Sequence, residues 1–249
     1  MALLSLTHDG GKGTDHGKPM ILLFFYGSTQ MVEFGSTLIN MHASLIQVTH
    51  PIIDHSLSIL RDKNCTTDRF RHNANIVSKL LIIEATKHLA TTPYMFETPL
   101  SQMQGKKLTE NIVVVPVLRA GLAMLFACQD ILPQAAVGFV GMQRDEQTAI
   151  AFSYYKKLPE IFNDSEIFVL DPMLATGGSF DDTVREVKNK GGKNIRVVCI
   201  VAAPEGIKRI QQSHPDVAIY TAAIDDHLND KKYIVPGLGD FGDRYFGTV

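Results

Sequence analysis

The feature that most constrains this chain is a series of apolar, β-branched runs at 112–117, 136–141, 167–170, 195–202 and 217–222. Near-continuous runs of this kind suit strands buried on both faces, because a strand with one wet face alternates instead. Between them lie helical segments at 121–131, 180–189 and 204–212, so strands and helices alternate as in a parallel α/β sheet with right-handed crossovers. A further helical pattern spans 67–90, with Phe70, Ala74, Val77 and Leu81 at spacings that share one face. In such a sheet, ligands bind beyond the carboxyl ends of the strands, which is where chemistry is expected.

Residues 1–40 differ from the rest. They carry Gly10-Gly11-Lys12-Gly13 and a short apolar burst, Met20 to Tyr26, with Met31 and Met41 as alternative starts. The predicted organisation is an N-terminal appendage, 1–40, and one domain, 41–249. The burst is too short to span a bilayer, so no membrane segment is expected. A formal net charge of −2 gives no reason to expect non-specific nucleic-acid binding, and any anion site must be local. Three widely separated cysteines, Cys65, Cys128 and Cys199, support neither a disulfide framework nor a metal knuckle and fit a reducing cytoplasm. His50, Asp54 and His55 lack the rest of a coordination shell, and a histidine at a helix start is the commoner role.

The most informative stretch is Ile167-Phe168-Val169-Leu170-Asp171-Pro172-Met173-Leu174-Ala175-Thr176-Gly177-Gly178-Ser179, a buried strand running into an acid and then a small, hydroxyl-rich loop before a helix. Gly177 and Gly178 let backbone N–H groups close around an oxyanion, Thr176 and Ser179 add hydroxyl donors, and the helix contributes the positive end of its dipole. A phosphate monoester fits that cradle, with Asp171 placed to accept from a sugar hydroxyl. No lysine follows as a Walker A loop requires, which disfavours a kinase-type site. A plain strand-to-helix turn also uses Gly and Ser, but it has no need of the acid.

A second stretch, Gly237-Leu238-Gly239-Asp240-Phe241-Gly242, spells G-x-G-x-x-G. In a dinucleotide site that pattern follows a strand, opens a helix and precedes another strand. The sequence ends at Val249, which leaves room for neither the helix nor the strand, so the glycines need another use.

The segment 169–179 resembles the phosphoribosyl-diphosphate (PRPP) binding motif of type I phosphoribosyltransferases, and the variant with Pro172 after the acid is similar to that of the uracil phosphoribosyltransferases. The likeness extends in order through Val115-Pro116-Val117-Leu118-Arg119-Ala120-Gly121, Val140-Gly141-Met142-Gln143-Arg144-Asp145-Glu146, Val201-Ala202-Ala203-Pro204-Glu205-Gly206 and 233–244. It covers roughly residues 46–249 and does not reach the first forty.

The resemblance implies a type I phosphoribosyltransferase fold, a mostly parallel sheet flanked by helices with a small C-terminal base-recognition hood. It implies conversion of uracil and PRPP to UMP and diphosphate in pyrimidine salvage. PRPP would be held by Arg119, Arg144, Asp171, Pro172, Met173, Leu174, Ala175, Thr176, Gly177, Gly178, Ser179 and Asp240. Uracil would be held by Ile234, Gly239, Asp240 and Phe241, largely through main-chain groups. Arg119, Arg144, Asp171 and Asp240 would carry catalysis, the two arginines by neutralising charge on the departing diphosphate. Mg2+ would arrive with PRPP. The resemblance also implies a homo-oligomer and GTP as allosteric activator.

The stretch 144–158, with Asp145, Glu146 and Gln147 ahead of Tyr154, Tyr155, Lys156 and Lys157, reads as a polar, mobile connection between strands, either a closing lid or an ordinary hairpin connection. Two other readings share these residues: a phosphoribosyltransferase for another base, and a nucleotide-sensing protein without turnover. Retention of Asp171, Arg119, Arg144 and Asp240 favours turnover.

Overall fold

The computed structural model describes residues 20–25, 28–33, 44–108, 111–144 and 151–248, with side chains given for 44–108, 111–142 and 154–248. The chain divides into two compact units, Met1–Asn40 and Met41–Val249. In the first, Met20–Phe25 pairs antiparallel with Ser28–Glu33, so most of the apolar burst is one strand of a hairpin. The glycines at 10–13, Tyr26 and Met41 lie outside the described residues.

In the larger unit seven strands form the main sheet: β1 (Leu45–Gln47), β2 (Ile112–Leu118), β3 (Phe139–Arg144), β4 (Ala151–Lys157), β5 (Glu166–Leu170), β6 (Asn194–Ala202) and β7 (Ala218–Ile224). Their order is β1-β7-β6-β5-β2-β3-β4, extended by the two-residue strands Ala136–Val137 beside β2 and Met173–Leu174 beside β6. Every neighbouring pair is parallel except β3 with β4.

Helices cover both faces, which is why the strand sequences are apolar without a gap. Helices α1 (Pro51–Arg61), α2 (Thr67–Ala85) and α3 (Leu122–Gln129) pack on one face, with the later α6 (Phe241–Phe246), against Ile112, Val114, Phe168, Leu170, Val198 and Ile200. Helices α4 (Gly178–Asn189) and α5 (Pro204–Ser213) cover the other face, against Val113, Val115, Val117, Ile167, Val169, Val197 and Cys199. Successive residues of β2 and β5 thus serve opposite cores, as the two-residue strand period requires. Phe70, Ala74, Val77 and Leu81 are all buried, as their spacing predicts, although α2 ends at Ala85 rather than 90.

His50 is the N-cap of α1: its Nδ1 accepts the Ile52 N–H at 3.1 Å while Pro51 opens the helix. The three cysteines are unpaired, and burial pushes the Cys128 and Cys199 thiols up to about 12. The predicted connection 144–158 is shorter than expected, because Ala151–Lys157 is strand β4, paired antiparallel with β3 as a hairpin. Asp145, Glu146 and Gln147 lie outside the described residues.

The chain leaves β2 through α3 toward β3 on one side, and leaves β5 through α4 toward β6 on the other. The strand order therefore reverses between β2 and β5. A crevice at the carboxyl ends of those two strands follows from that reversal.

Candidate active site

That crevice is present as a cleft of about 460 Å³ lined by Arg119 and Ala120 after β2, Asp171 after β5, the loop leading into α4, and the C-terminal segment. Of the predicted residues, Arg119, Asp171, Met173, Ala175, Gly177, Gly178, Ser179, Ile234, Gly239, Asp240 and Phe241 all line it. Pro172, Leu174 and Thr176 do not. Leu174 is buried in the core below the α4 face, and its carbonyl accepts the Ala203 N–H at 2.9 Å. The Pro172 carbonyl accepts from Ile200 and Val201 at 2.9 and 3.1 Å. These two residues bind the loop to β6, so that alternate residues face the cleft. Arg144 ends β3, and its side chain lies outside the described residues.

The loop before α4 is built for an anion. Gly177, in the left-handed region at φ +78°, is the N-cap of α4 and offers no capping side chain, and Gly178, Ser179 and Phe180 of the first turn line the cleft. Behind it, Gly206 lets α5 come close: a Cβ there would lie 2.5 Å from the Ala175 carbonyl oxygen. The Glu205-Gly206 pair also reaches the hood, since Glu205 Oε1 accepts the Leu228 N–H at 2.9 Å.

Asp171 is half-buried rather than exposed, and its Oδ1 accepts the Met173 N–H at 3.3 Å. Arg119 has a side chain 65% exposed and stands 3.8 Å from Asp243, a weak pair that leaves its guanidinium available to an anion. Asp240 caps α6, its Oδ1 accepting the Asp243 N–H at 3.0 Å. The glycine-rich stretch therefore does open a helix, contrary to the sequence expectation, but one of only six residues. What precedes it is the two-residue strand Ile234–Val235, antiparallel to His227–Leu228. That is not a dinucleotide fold.

Sequence reasoning missed Lys231, Lys232 and Tyr233, which also line the cleft. Their turn is organised by Asn229, whose Oδ1 accepts the Lys231 and Tyr233 N–H groups at 3.0 Å each, while Lys232 sits at φ +64°. The available signal was Asn229-Asp230, a turn-forming pair ahead of two adjacent lysines. Among the described residues no group of three or more His, Cys, Asp or Glu is arranged to hold a metal.

Asp181, in the first turn of α4, brings a negative charge close to the anion loop. It is offset by Arg209, which donates from Nε and Nη2 at 3.0 and 2.8 Å, by Arg185 at 3.0 Å, and by a contact with His214 Nε2 at 2.9 Å. Burial alone would raise this carboxyl, but the hydrogen bonds from Arg209 and Arg185 outweigh burial and hold it below the usual carboxylate range. Its stabilisation is therefore present above the ordinary carboxylate pKa of about 3.9 and is lost as pH falls through the lower folded value. Asp181→Asn is expected to cost about 1–3 kcal/mol at neutral pH, with the gap to the parent narrowing below about pH 4. Denaturant unfolding at pH 7 and pH 3 checks this. A gap independent of pH would show that the charge is not what matters.

Comparison with known proteins bears on the same residues. A sequence profile of the family described as Uracil phosphoribosyltransferase matches residues 47–248. The uracil phosphoribosyltransferase of Dictyoglomus thermophilum is 50% identical over 205 residues, covering 82% of this chain and 99% of its own length. Among solved structures, the AQ2163 protein from Aquifex aeolicus superposes with a TM-score of 0.78 at 36% identity, over 81% of this chain and 97% of that one. The adenine phosphoribosyl transferase from Trypanosoma brucei, at 9% identity and a TM-score of 0.51 over 76% of this chain and 87% of that one, shares the fold.

Proposed function

The chain belongs to the uracil phosphoribosyltransferase family, and we propose an assignment of its residues to the reaction of that family. Its substrates are uracil and PRPP, its products UMP and diphosphate. Uracil N1 forms a bond to C1′ of PRPP as the bond from C1′ to diphosphate breaks, the diphosphate leaving with that electron pair and the N1 proton passing to water or to the diphosphate. The 5′-phosphate lies on the N–H groups of 177–179, at the positive end of α4. Asp171 accepts from a ribose hydroxyl. Arg119 and Arg144 neutralise charge building on the diphosphate, and Lys231 and Lys232 add to that field from the hood. Ile234 and the main chain of 239–241 hold the base. Rate enhancement then comes mainly from positioning two substrates and from stabilising separating charges.

The observation that carries this assignment is the convergence, in one cleft, of an anion loop, a ribose-facing acid, a cation and a glycine-rich main-chain edge. Among the described residues, Asp171 and Asp240 are the carboxylates that line the cleft, and hard oxygen donors of this kind fit a magnesium ion that reaches the site on PRPP oxygens. A homo-oligomeric state, activation by GTP and a cytoplasmic location are carried over from the family resemblance. The exposed Met95, Leu100 and Met103 of the hairpin formed by Thr91–Glu97 and Gln102–Leu108 support the first. No described helix is long and apolar enough to cross a membrane.

We also propose that residues 1–40 are dispensable, since the family match begins at residue 47. One assay tests both readings: diphosphate release from PRPP with uracil, cytosine, hypoxanthine or no base, by the full chain and by a chain starting at Met41. Release should require uracil and be similar for both chains. Equal release with hypoxanthine, or none with uracil, overturns the function. Aggregation or loss of most activity in the shorter chain moves the domain boundary.

A further inference from the structure

We propose that the ion pair between Arg61 and Asp225 is the positioning device that fixes the base-reading main chain, and so sets uracil affinity and the preference for uracil over cytosine. The proposal rests on the functional reading above. Neither residue lines the cleft. Arg61 is the last residue of α1 and Asp225 follows the end of β7, so the pair ties two core elements together at the sheet's carboxyl edge. The contact is bidentate, Nη1 to Oδ2 at 2.8 Å and Nη2 to Oδ1 at 2.6 Å, and the Asp225 side chain is only 4% exposed.

What makes it more than a brace is where the remaining valences go. Asp225 Oδ2 accepts the Gly237 N–H at 2.8 Å, and Arg61 Nη1 donates to the Gly237 carbonyl at 2.8 Å. Both main-chain polar groups of one residue are thus held by the two halves of one partly buried ion pair. Gly237 stands between Ile234 and Gly239, in the left-handed region at φ +61°, where a Cβ would run into the Ile234 carbonyl. The next residue is held through its carbonyl. Arg244 donates to the Leu238 carbonyl at 2.6 Å and to the Asp62 carbonyl at 2.6 Å, and also to Leu60, with its guanidinium 4.5 Å from the Phe70 ring centroid.

Residues 237 and 238 are therefore bolted to residues 60–62, and the peptide planes on either side inherit that orientation. A base edge read by main-chain donors and acceptors is discriminated only as sharply as those planes are fixed. The anion loop and Arg119 belong to the ends of β5 and β2 and do not depend on this pair.

The test uses Arg61→Lys, which keeps the charge but not the planar fork, and Asp225→Asn, each in the full chain. Measured are KM for uracil and for PRPP, kcat/KM for uracil and cytosine, and Tm. The expected result is a rise in uracil KM of about tenfold or more and a comparable fall in the uracil-to-cytosine ratio, with PRPP KM within about twofold of the parent. A pair that only stabilises the fold would lower Tm and scale both bases equally. An unchanged ratio in a folded variant overturns the proposal. If Asp225→Asn does not fold, Arg61→Lys decides alone. Failure of the parent to use uracil would instead be failure of the functional reading.

Discussion

Asp171→Asn is expected to lower uracil-dependent turnover about ten- to a hundredfold, because losing one charge-assisted contact in the transition state costs about 1.5–3 kcal/mol. The fold should hardly notice. Asp171 lies just past the end of β5, and its Oδ1 accepts the Met173 N–H at 3.3 Å, a contact that the side-chain carbonyl of asparagine can also make. The substitution keeps size and shape and removes only the charge that a ribose hydroxyl would meet. The check is kcat/KM for PRPP beside Tm. Normal turnover would remove Asp171 from the site, and a large drop in Tm would show that its carboxylate serves the fold instead.

The sheet was legible because both of its faces are covered. Where burial is two-sided, as in β2 and β5, a strand announces itself by an unbroken apolar run, and the helix between is found by its own stripe, as with Phe70 to Leu81. Where burial fails, so does the signal. The hairpin Thr91–Glu97 with Gln102–Leu108 is exposed along almost its whole length, contains Pro93, and shows no buried face that could impose a period. The run 136–141 breaks at Gly138, because Ala136–Val137 and Phe139–Arg144 pair with different parts of β2.

The site divides along a similar line. Asp171, Gly177 and Arg119 could be read because each belongs to a loop that directly follows a legible strand, so sequence order alone brings acid, glycines and cation to one edge of the sheet. Arg61 and Asp225 are 164 positions apart and meet only because α1 and β7 end at the same edge, which no local spacing encodes. Lys231 and Lys232 read as ordinary surface charges until the Asn229 turn aims their segment at the cleft.

Uracil is expected to be preferred over cytosine by about 10²- to 10⁴-fold in kcat/KM, the larger of the two effects, and the structure supplies a reason that needs no reading side chain. Phe241 is 2% exposed and its ring packs edge-on against Phe70 at 5.1 Å between centroids, in the core. Ile234 is apolar, Gly239 has no side chain, and Asp240 already commits Oδ1 to the Asp243 N–H. Under the proposed assignment, the edge facing the base would therefore be main-chain N–H and C=O groups of fixed polarity, held from behind at Gly237 and Leu238. Uracil offers an acceptor at O4 and a donor at N3, whereas cytosine offers a donor at N4 and an acceptor at N3. Both are reversed. Each mismatch leaves a buried polar group facing its own kind at about 1–3 kcal/mol, and a backbone so anchored cannot turn over to relieve it. The measurement is kcat/KM for each base at saturating Mg–PRPP, and a ratio within about tenfold of unity would show that the main chain of 234–241 does not read the base.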